Sequence, residues 1–410
     1  MSPLLQFILA LAVIIFAAKS FGYLSTRIGL PAVLGELLVG LVLGPSVLNL
    51  LHWRIFTVGG GHLDEALFDL AHLGVLFLMF IAGLEVELEM MRRAGRPAIA
   101  SGTLGVLFPV GMGAVLMLPF GFDWQQGIFI GLVLAATSVS ISAQTLMELG
   151  MLRSRVGVTL LGAAVVDDIL VILLLSLFTA LAAGGSVGLW TVVLVFVKMV
   201  AFLVIASVLG VRLIPQLGQA VDRLPISEGV MALVIVVTIL YAWAAEVMGG
   251  MAAITGAFLA GLLFGRTPLR RHIEPRMHTL AYSWLVPVFF VSIGLETNIR
   301  EVGVAGAPLA LFIVAVAMIS KLLGCGIGSF CAGFSQKDAL RLGVGMASRG
   351  EVGLIVATVG LNTGLIGSSI FASVVLMVLV TTLLTPVLLR MLYPREEIQK
   401  TTVEATESSA

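Results

Sequence analysis

Charge is what this chain of 410 residues has least of: Asp, Glu, Lys and Arg together make up 11% of it, against about a quarter of a soluble domain. The 23 basic and 23 acidic residues cancel, so no basic face is expected for nucleic acid. Cysteine is equally scarce. Cys325 and Cys331 fall six apart in one apolar segment, which makes neither a disulfide framework nor a metal motif and leaves them as packing residues. No Pro/Ser-rich linker and no charged domain interrupts the apolar runs. The first run, Leu4 to Ala18, has no basic residue before Lys19; it lacks the charged start of a cleaved signal peptide and is expected to be the first spanning helix. Arg395–Ala410 reads as a polar, disordered tail, with no soluble regulatory domain expected after it.

What is present in excess is hydrophobic sequence, 59% of the residues with a mean hydropathy of +1.13. Runs of about 20 apolar residues, the length that crosses a bilayer as a helix, recur from end to end. An all-α polytopic membrane protein is expected, with thirteen spans near residues 3–19, 30–50, 66–91, 98–119, 126–149, 155–184, 187–214, 227–247, 251–266, 279–297, 303–333, 338–361 and 367–392. Basic residues alternate in the loops. Lys19, Arg27, Arg92, Arg93, Arg96, Arg153, Arg155, Arg212, Arg223, Arg266, Arg270, Arg271, Arg276, Lys337, Arg341, Arg390, Arg395 and Lys400 fall on one side, whereas the opposite loops hold only Arg54 and Arg300. The positive-inside rule places the first set in the cytoplasm. The amino terminus is then outside and the carboxyl terminus inside a prokaryotic cell membrane, as an odd number of spans requires.

The chain also repeats itself. Ala32–Gly44 in span 2 aligns without a gap to Ala253–Gly265 in span 9, with six of thirteen positions identical. Phe80-Ile-Ala-Gly-Leu-Glu85 in span 3 matches Phe290-Val-Ser-Ile-Gly-Leu-Glu296 in span 10. Both matches lie seven spans apart. Because seven is odd, the copies enter the membrane from opposite sides, an inverted-topology repeat of spans 1–6 and 8–13 such as secondary transporters use.

Six spans carry polar groups that hydrocarbon does not tolerate idly. Asp167 and Asp168 stand side by side, twelve and thirteen residues into span 6 from Arg155, roughly 18–20 Å deep at the helical rise. Lys321 lies twelve residues from the inner end of span 11, at about the same depth. Thr137, Ser138, Ser140 and Ser142 in span 5 and the stretch Ala347-Ser-Arg-Gly-Glu-Val-Gly353 in span 12 share that layer. Neighbouring residues of a helix point about 100° apart, so the two aspartates cannot face one partner: one is expected to pair with Lys321, the other to face an ion path. Arg349 and Glu351 read as a salt bridge, mutual or between helices, that stabilises the core. Gly350 and Gly353 let their segment leave helical geometry. In span 5 no Gly or Pro marks a break at the hydroxyl-rich stretch, whose hydroxyls fit either a break or an ordinary helix with back-bonded side chains. Glu36 in span 2 either lines a cytoplasmic funnel or snorkels. Lys198 is expected to snorkel, and His52, His62, His72, His272 and His278 to be solvated in loops or at span ends.

Ala136-Thr-Ser-Val-Ser-Ile-Ser142, Gly162-Ala-Ala-Val-Val-Asp-Asp168, Ser320-Lys-Leu-Leu-Gly324 and Gly345-Met-Ala-Ser-Arg-Gly-Glu-Val-Gly-Leu-Ile-Val-Ala357 together resemble the cation/proton antiporter superfamily, in the bacterial branch of NapA-type sodium/proton antiporters and Kef-type potassium systems. The resemblance covers nearly the whole chain and implies one membrane domain over residues 1–394. Its core would be spans 4–6 and 11–13 (about 98–184 and 303–392), with spans 5 and 12 discontinuous and crossing at mid-membrane. Spans 1–3 and 8–10 (about 3–91 and 227–297) would form a dimerisation panel in a homodimer, with 187–214 as linker. It further implies that Asp168 holds the ion and Asp167 pairs with Lys321. The Asp-Asp pair favours a sodium/proton exchanger over a Kef system, which has another residue before the Asp.

The expected activity is exchange of a monovalent cation, Na⁺ before Li⁺ or K⁺, for H⁺ by alternating access in the bilayer, with no resident cofactor. Asp168 would hold either a proton or a cation, and Thr137, Ser138 or loosened backbone would add the oxygens a hard cation prefers. Release of a second proton from a broken Asp167–Lys321 pair would make exchange electrogenic. An intramembrane aspartyl protease is excluded, because its two aspartates must face each other from different helices. A Kef-like K⁺/H⁺ antiporter or a K⁺ efflux channel is the alternative.

Overall fold

Backbone amides and carbonyls in hydrocarbon must satisfy one another, which drives long apolar runs into helices. The computed structural model describes residues 2–28, 30–57, 63–85, 94–182, 189–296, 298, 300, 303–362 and 364–394, and its regular structure is wholly helical. In chain order the main helices are α1 (Pro3–Arg27), α2 (Ala32–Leu43), α3 (Leu63–Glu85), α4 (Gly95–Leu116), α5 (Trp124–Ala135), α6 (Val139–Glu148), α7 (Arg155–Ala182) and α8 (Leu189–Asp222). There follow α9 (Gly229–Ala244), α10 (Ala253–Phe264), α11 (Arg270–Leu280), α12 (Val286–Glu296), α13 (Gly303–Cys331), α14 (Gln336–Gly345), α15 (Glu351–Asn362) and α16 (Ser368–Leu392). Among the described residues ten helical stretches are long and apolar enough to cross a membrane, and three apolar helices, Ala32–Leu43, Ala253–Phe264 and Val352–Leu361, are shorter. The molecule is a multi-pass membrane protein. The tail Arg395–Ala410 lies outside the described residues.

Four boundaries depart from those the sequence suggests. Span 1 is expected to end near residue 19, yet α1 continues to Arg27. Span 2 is expected to reach residue 50, but α2 stops at Leu43, where Gly44 turns extended ahead of Pro45, whose ring disfavours helix at the residue before it. Span 7 was drawn to 214, yet α8 runs on through Pro215 to Asp222. Span 10 was begun at 279, yet a polar helix from Arg270 leads through the π turn Ala281–Leu285 into α12. In the last two cases hydropathy marks where the chain leaves the apolar layer, not where its helical hydrogen bonding ends.

The helices pack in two sets. In one, α4 lies against α5, α7 and α13, and α13 against α14 and α16. In the other, α2 lies against α1 and α12, and α3 against α10 and α12. The long helix α8 touches α7 on one side and α9 and α10 on the other. The repeated segments pack crosswise within the second set. A Cβ at Gly40 of α2 would overlap the carbonyl of Val291 in α12, and a Cβ at Gly261 of α10 would overlap the carbonyl of Phe80 in α3. Gly40 and Gly261 are equivalent in one repeat, and Phe80 and Val291 are equivalent in the other when the Gly-Leu-Glu ends are aligned, so the same close backbone crossing occurs twice.

Candidate functional site

Asp167 and Asp168 sit in the middle of α7, 0% and 5% exposed. Asp167 turns into the first helix set, where Nζ of Lys321 on α13 donates to its Oδ1, and both side chains are wholly buried. A buried ion pair is held by its partners: removing one leaves an uncompensated charge, which costs about 3–5 kcal/mol. Asp168 faces the second set. Thr255 Oγ1, from the first turn of α10, donates to Asp168 Oδ2 at 3.5 Å. Beside this carboxylate lies a cavity of about 20 Å³ walled by Met79, Val139, Leu161, Ile254 and Phe258, among others. That is room for about one water or one cation stripped of most of its shell.

Two helix interruptions meet near this pair. α5 ends at Ala135 and α6 begins at Val139, with Ala136 and Ser138 non-helical between them. α14 ends at Gly345 and α15 begins at Glu351. Ser138 N–H donates to Ser348 C=O at 2.9 Å, and Ser348 Oγ donates to Ser138 C=O at 2.6 Å. Ser142 Oγ donates to Gly345 C=O at 2.5 Å and lies 3.1 Å from Ser348 Oγ. Each interruption thus supplies hydrogen bonds that the other lost. A Cβ at Gly350 would come within 2.7 Å of Ser138 Cβ, so the crossing requires glycine there.

Arg349 is fully buried at the second interruption. Nη1 donates to Met346 C=O at 3.1 Å and Nη2 to Ala317 C=O at 2.9 Å, tying the loop to α13. Its own backbone is held by α16: its N–H donates to Thr381 Oγ1 at 3.2 Å, and Thr382 Oγ1 donates to its C=O at 2.7 Å. The side chain of Glu351, paired with Arg349 in the sequence reading, lies outside the described ones. Thr137 is buried and donates to Ala135 C=O at 3.3 Å. Ser138 opens on a different cavity from Asp168, one of about 50 Å³ shared with His72, Ser292, Glu296 and Gly350.

Glu36 is 5% exposed, lies 3.7 Å from Lys19 Nζ, and lines a cavity of about 610 Å³ with Gln144, Glu148, His278, Tyr282 and Arg390. Lys198 Nζ donates to Val247 C=O at 3.4 Å. Cys325 is buried and Cys331 exposed. His72 lies within α3, His272 and His278 within α11, and His62 outside the described residues.

Nothing in the residue pattern singles out Thr255, Thr381 or Thr382. The only signal they offered was a hydroxyl in an apolar helix, which ordinary back-bonding also explains.

Against known proteins, the profile of the family described as sodium/hydrogen exchanger, transmembrane, matches residues 10–393. The chain is 37% identical over 385 residues to the Na⁺/H⁺-K⁺ antiporter GerN of Bacillus cereus, a match covering 94% of this chain and 96% of that protein. It is 33% identical over 386 residues to a Na⁺/H⁺ antiporter of Enterococcus hirae, over 94% and 98%. Its fold is similar to that of the sodium proton antiporter MjNhaP1 from Methanocaldococcus jannaschii, with a TM-score of 0.69 over 95% of this chain and 97% of that one, at 17% identity.

Proposed function

The chain belongs to the sodium/hydrogen exchanger family within the cation/proton antiporter superfamily and is a transporter, not an enzyme; from that premise we propose that it exchanges a monovalent cation, Na⁺ foremost, for H⁺, with Asp168 as the shared site. The observation that carries this reading is the division of labour between neighbours. Asp167 is held by Lys321, while Asp168 faces Thr255 and a small cavity between the two helix sets. A carboxylate buried there is compatible with a bound proton or a bound cation and costly with neither, so one cargo displaces the other.

The first helix set is the moving core and the second the panel it moves against, as the NapA-type branch implies. The crosswise repeat packing supports an inverted repeat. Thirteen spans with the amino terminus outside and the carboxyl terminus cytoplasmic follow from the alternation of basic loops, and a homodimer built on the panel is what the NapA-type branch implies. Thr255 Oγ1 is the hydroxyl at Asp168 here; Thr137, Ser138 and the backbone freed at 136–138 would add further oxygens, since they precede Val139, which borders the Asp168 cavity. Arg349 and Glu351 stabilise the core. Glu36 stands at the large cavity that serves as the cytoplasmic funnel. The loaded core crosses and the empty one, with the Asp168 carboxylate uncompensated beside the neutral Asp167–Lys321 pair, does not, which couples the two fluxes.

The test is proton movement in proteoliposomes titrated with Na⁺, Li⁺ or K⁺. Asp168→Asn should abolish cation-dependent proton flux, and full retention would refute the assignment. K⁺ as second cargo has its own support in the name of the Bacillus cereus relative. In the same assay a K⁺ response equal to that of Na⁺ identifies it, whereas K⁺ flux without proton movement identifies a channel.

A further inference from the structure

α6 packs on α16 and α7 of the first helix set, and its last residue, Glu148, reaches across to the second. Its Oε2 accepts the N–H of Ala32 at 2.5 Å, and its Oε1 accepts the N–H of Val33 at 3.2 Å and Gln144 Nε2 at 2.8 Å. The first N–H groups of a helix have no partner within it. At α2 no side chain of its own supplies one, since the preceding residue is Pro31. A carboxylate suits that end twice over, through charge-assisted hydrogen bonds and through the positive pole of the helix. Gln144 is oriented in turn from the second set, because Tyr282 Oη donates to its Oε1 at 2.8 Å. One loop further on, Arg153 Nη2 donates to Glu274 Oε1 at 3.1 Å, and Glu274 Oε2 accepts from Arg270 Nε at 3.3 Å. Gln144, Glu148 and Arg153 belong to or follow α6, whereas Ala32, Val33, Glu274 and Tyr282 belong to α2, α11 and the turn after it.

We propose that Glu148 is an interdomain latch: a positioning residue that holds the α6 end of the core on the N-terminus of α2 in this conformation and must let go each time the core moves. The proposal rests on the core-and-panel reading above. Hydrogen bonds of this kind fail when donor and acceptor part by about 1 Å, so any sliding of the two sets breaks the whole row together. Neither Glu148 nor Tyr282 lines the Asp168 cavity; the latch governs which orientation is populated, not what the site binds. The other charged groups around its cavity, Lys19, Glu36, His278 and Arg390, come from α1, α2, α11 and α16.

The experiment is a distance measurement on the full chain in proteoliposomes. In a Cys325→Ala, Cys331→Ser background, spin labels are placed on cysteines replacing Lys337, on the core side, and Thr279, on the panel side, both exposed. Glu148→Ala should raise the population of a second core-to-panel distance by at least about threefold, and Tyr282→Phe should shift it the same way by less. A purely structural role lowers thermal stability without creating a second distance. Folded variants whose distance distribution matches the parent overturn the latch. If Glu148→Ala does not fold, Glu148→Gln and Tyr282→Phe decide by the same criterion. Absence of cation/proton exchange in the parent protein would instead defeat the transport reading, a result independent of the distances.

Discussion

Lys321 Nζ sits on Asp167 Oδ1 with both side chains fully excluded from solvent, while Asp167 Oδ2 has no hydrogen-bond partner among the described residues. The ammonium touches this carboxylate on one oxygen, and the buried guanidinium of Arg349 adds attraction at longer range. Whatever reaches Asp168, one residue along the helix, acts on a pair with one carboxylate oxygen still unbonded.

Replacing Lys321 by Gln should leave Asp167 buried and uncompensated. The expected loss of stability is about 3–5 kcal/mol, read as a fall in melting temperature in detergent. The double variant Asp167→Asn, Lys321→Gln should recover part of it, since both partners are then neutral. If the pair releases the second proton, exchange by folded Lys321→Gln protein should lose its dependence on membrane voltage. Unchanged voltage dependence would remove Lys321 from the coupling.

The crossing of the two interruptions depends on backbone proximity. Gly350→Ala places a methyl group against Ser138 Cβ and should cost about 1–3 kcal/mol as an overpacking change, with slowed exchange. Ser138→Gly removes the obstructing Cβ, so adding it to Gly350→Ala should restore most of the stability. A double-mutant cycle on melting temperature measures this; strict additivity would mean that the two residues do not touch.

Thr382 donates to the carbonyl of Arg349, a group with no intrahelical partner at the break. Thr382→Val keeps the shape and removes the donor. It should lower stability by about 1–3 kcal/mol, the cost of leaving one buried acceptor unsatisfied. Among the described residues the Thr385 hydroxyl bonds within its own helix, to Thr381 C=O, so Thr385→Val should cost distinctly less. Equal losses in thermal unfolding would show that the hydroxyl at 382 is not specific to the break.

Gly261 and Gly40 hold equivalent crossings. Gly261→Leu should separate α10 from α3 and reduce the folded yield, and Gly40→Leu should do the same for α2 and α12. Comparable losses by size-exclusion profile and melting temperature are expected, and a harmless substitution at either position would break the equivalence.

Much of this was readable in the sequence because the membrane penalises charge so heavily. A carboxylate pair, a lysine and an arginine far from any span end announce themselves by the cost of burying them. Their depth follows from counting residues along a helix. The repeat was legible because close backbone crossings need glycine, which left the same glycine spacing in both copies. The interruption at 136–138 was not legible from residue types, since neither Gly nor Pro marks it; what holds it open is Ser348, some two hundred residues away. Thr255, Thr381 and Thr382 escaped for the same reason. A hydroxyl in a helix has a local partner available, and only the fold reveals that it uses a distant one.

The reciprocal bonds between Ser138 and Ser348 also bear on how the protein is made. The first interruption leaves the ribosome about two hundred residues before the second exists. Until then the peptide groups around Ser138 lie in or near hydrocarbon without their eventual partners. A nascent chain halted after α7 should therefore keep this region wet, accessible or engaged with the insertion machinery, and an alkylating probe on a cysteine at position 138 should react. Once α14 to α16 are in place the same probe should be blocked. Biogenesis thus finishes only when the last quarter of the chain closes a gap opened in the first half.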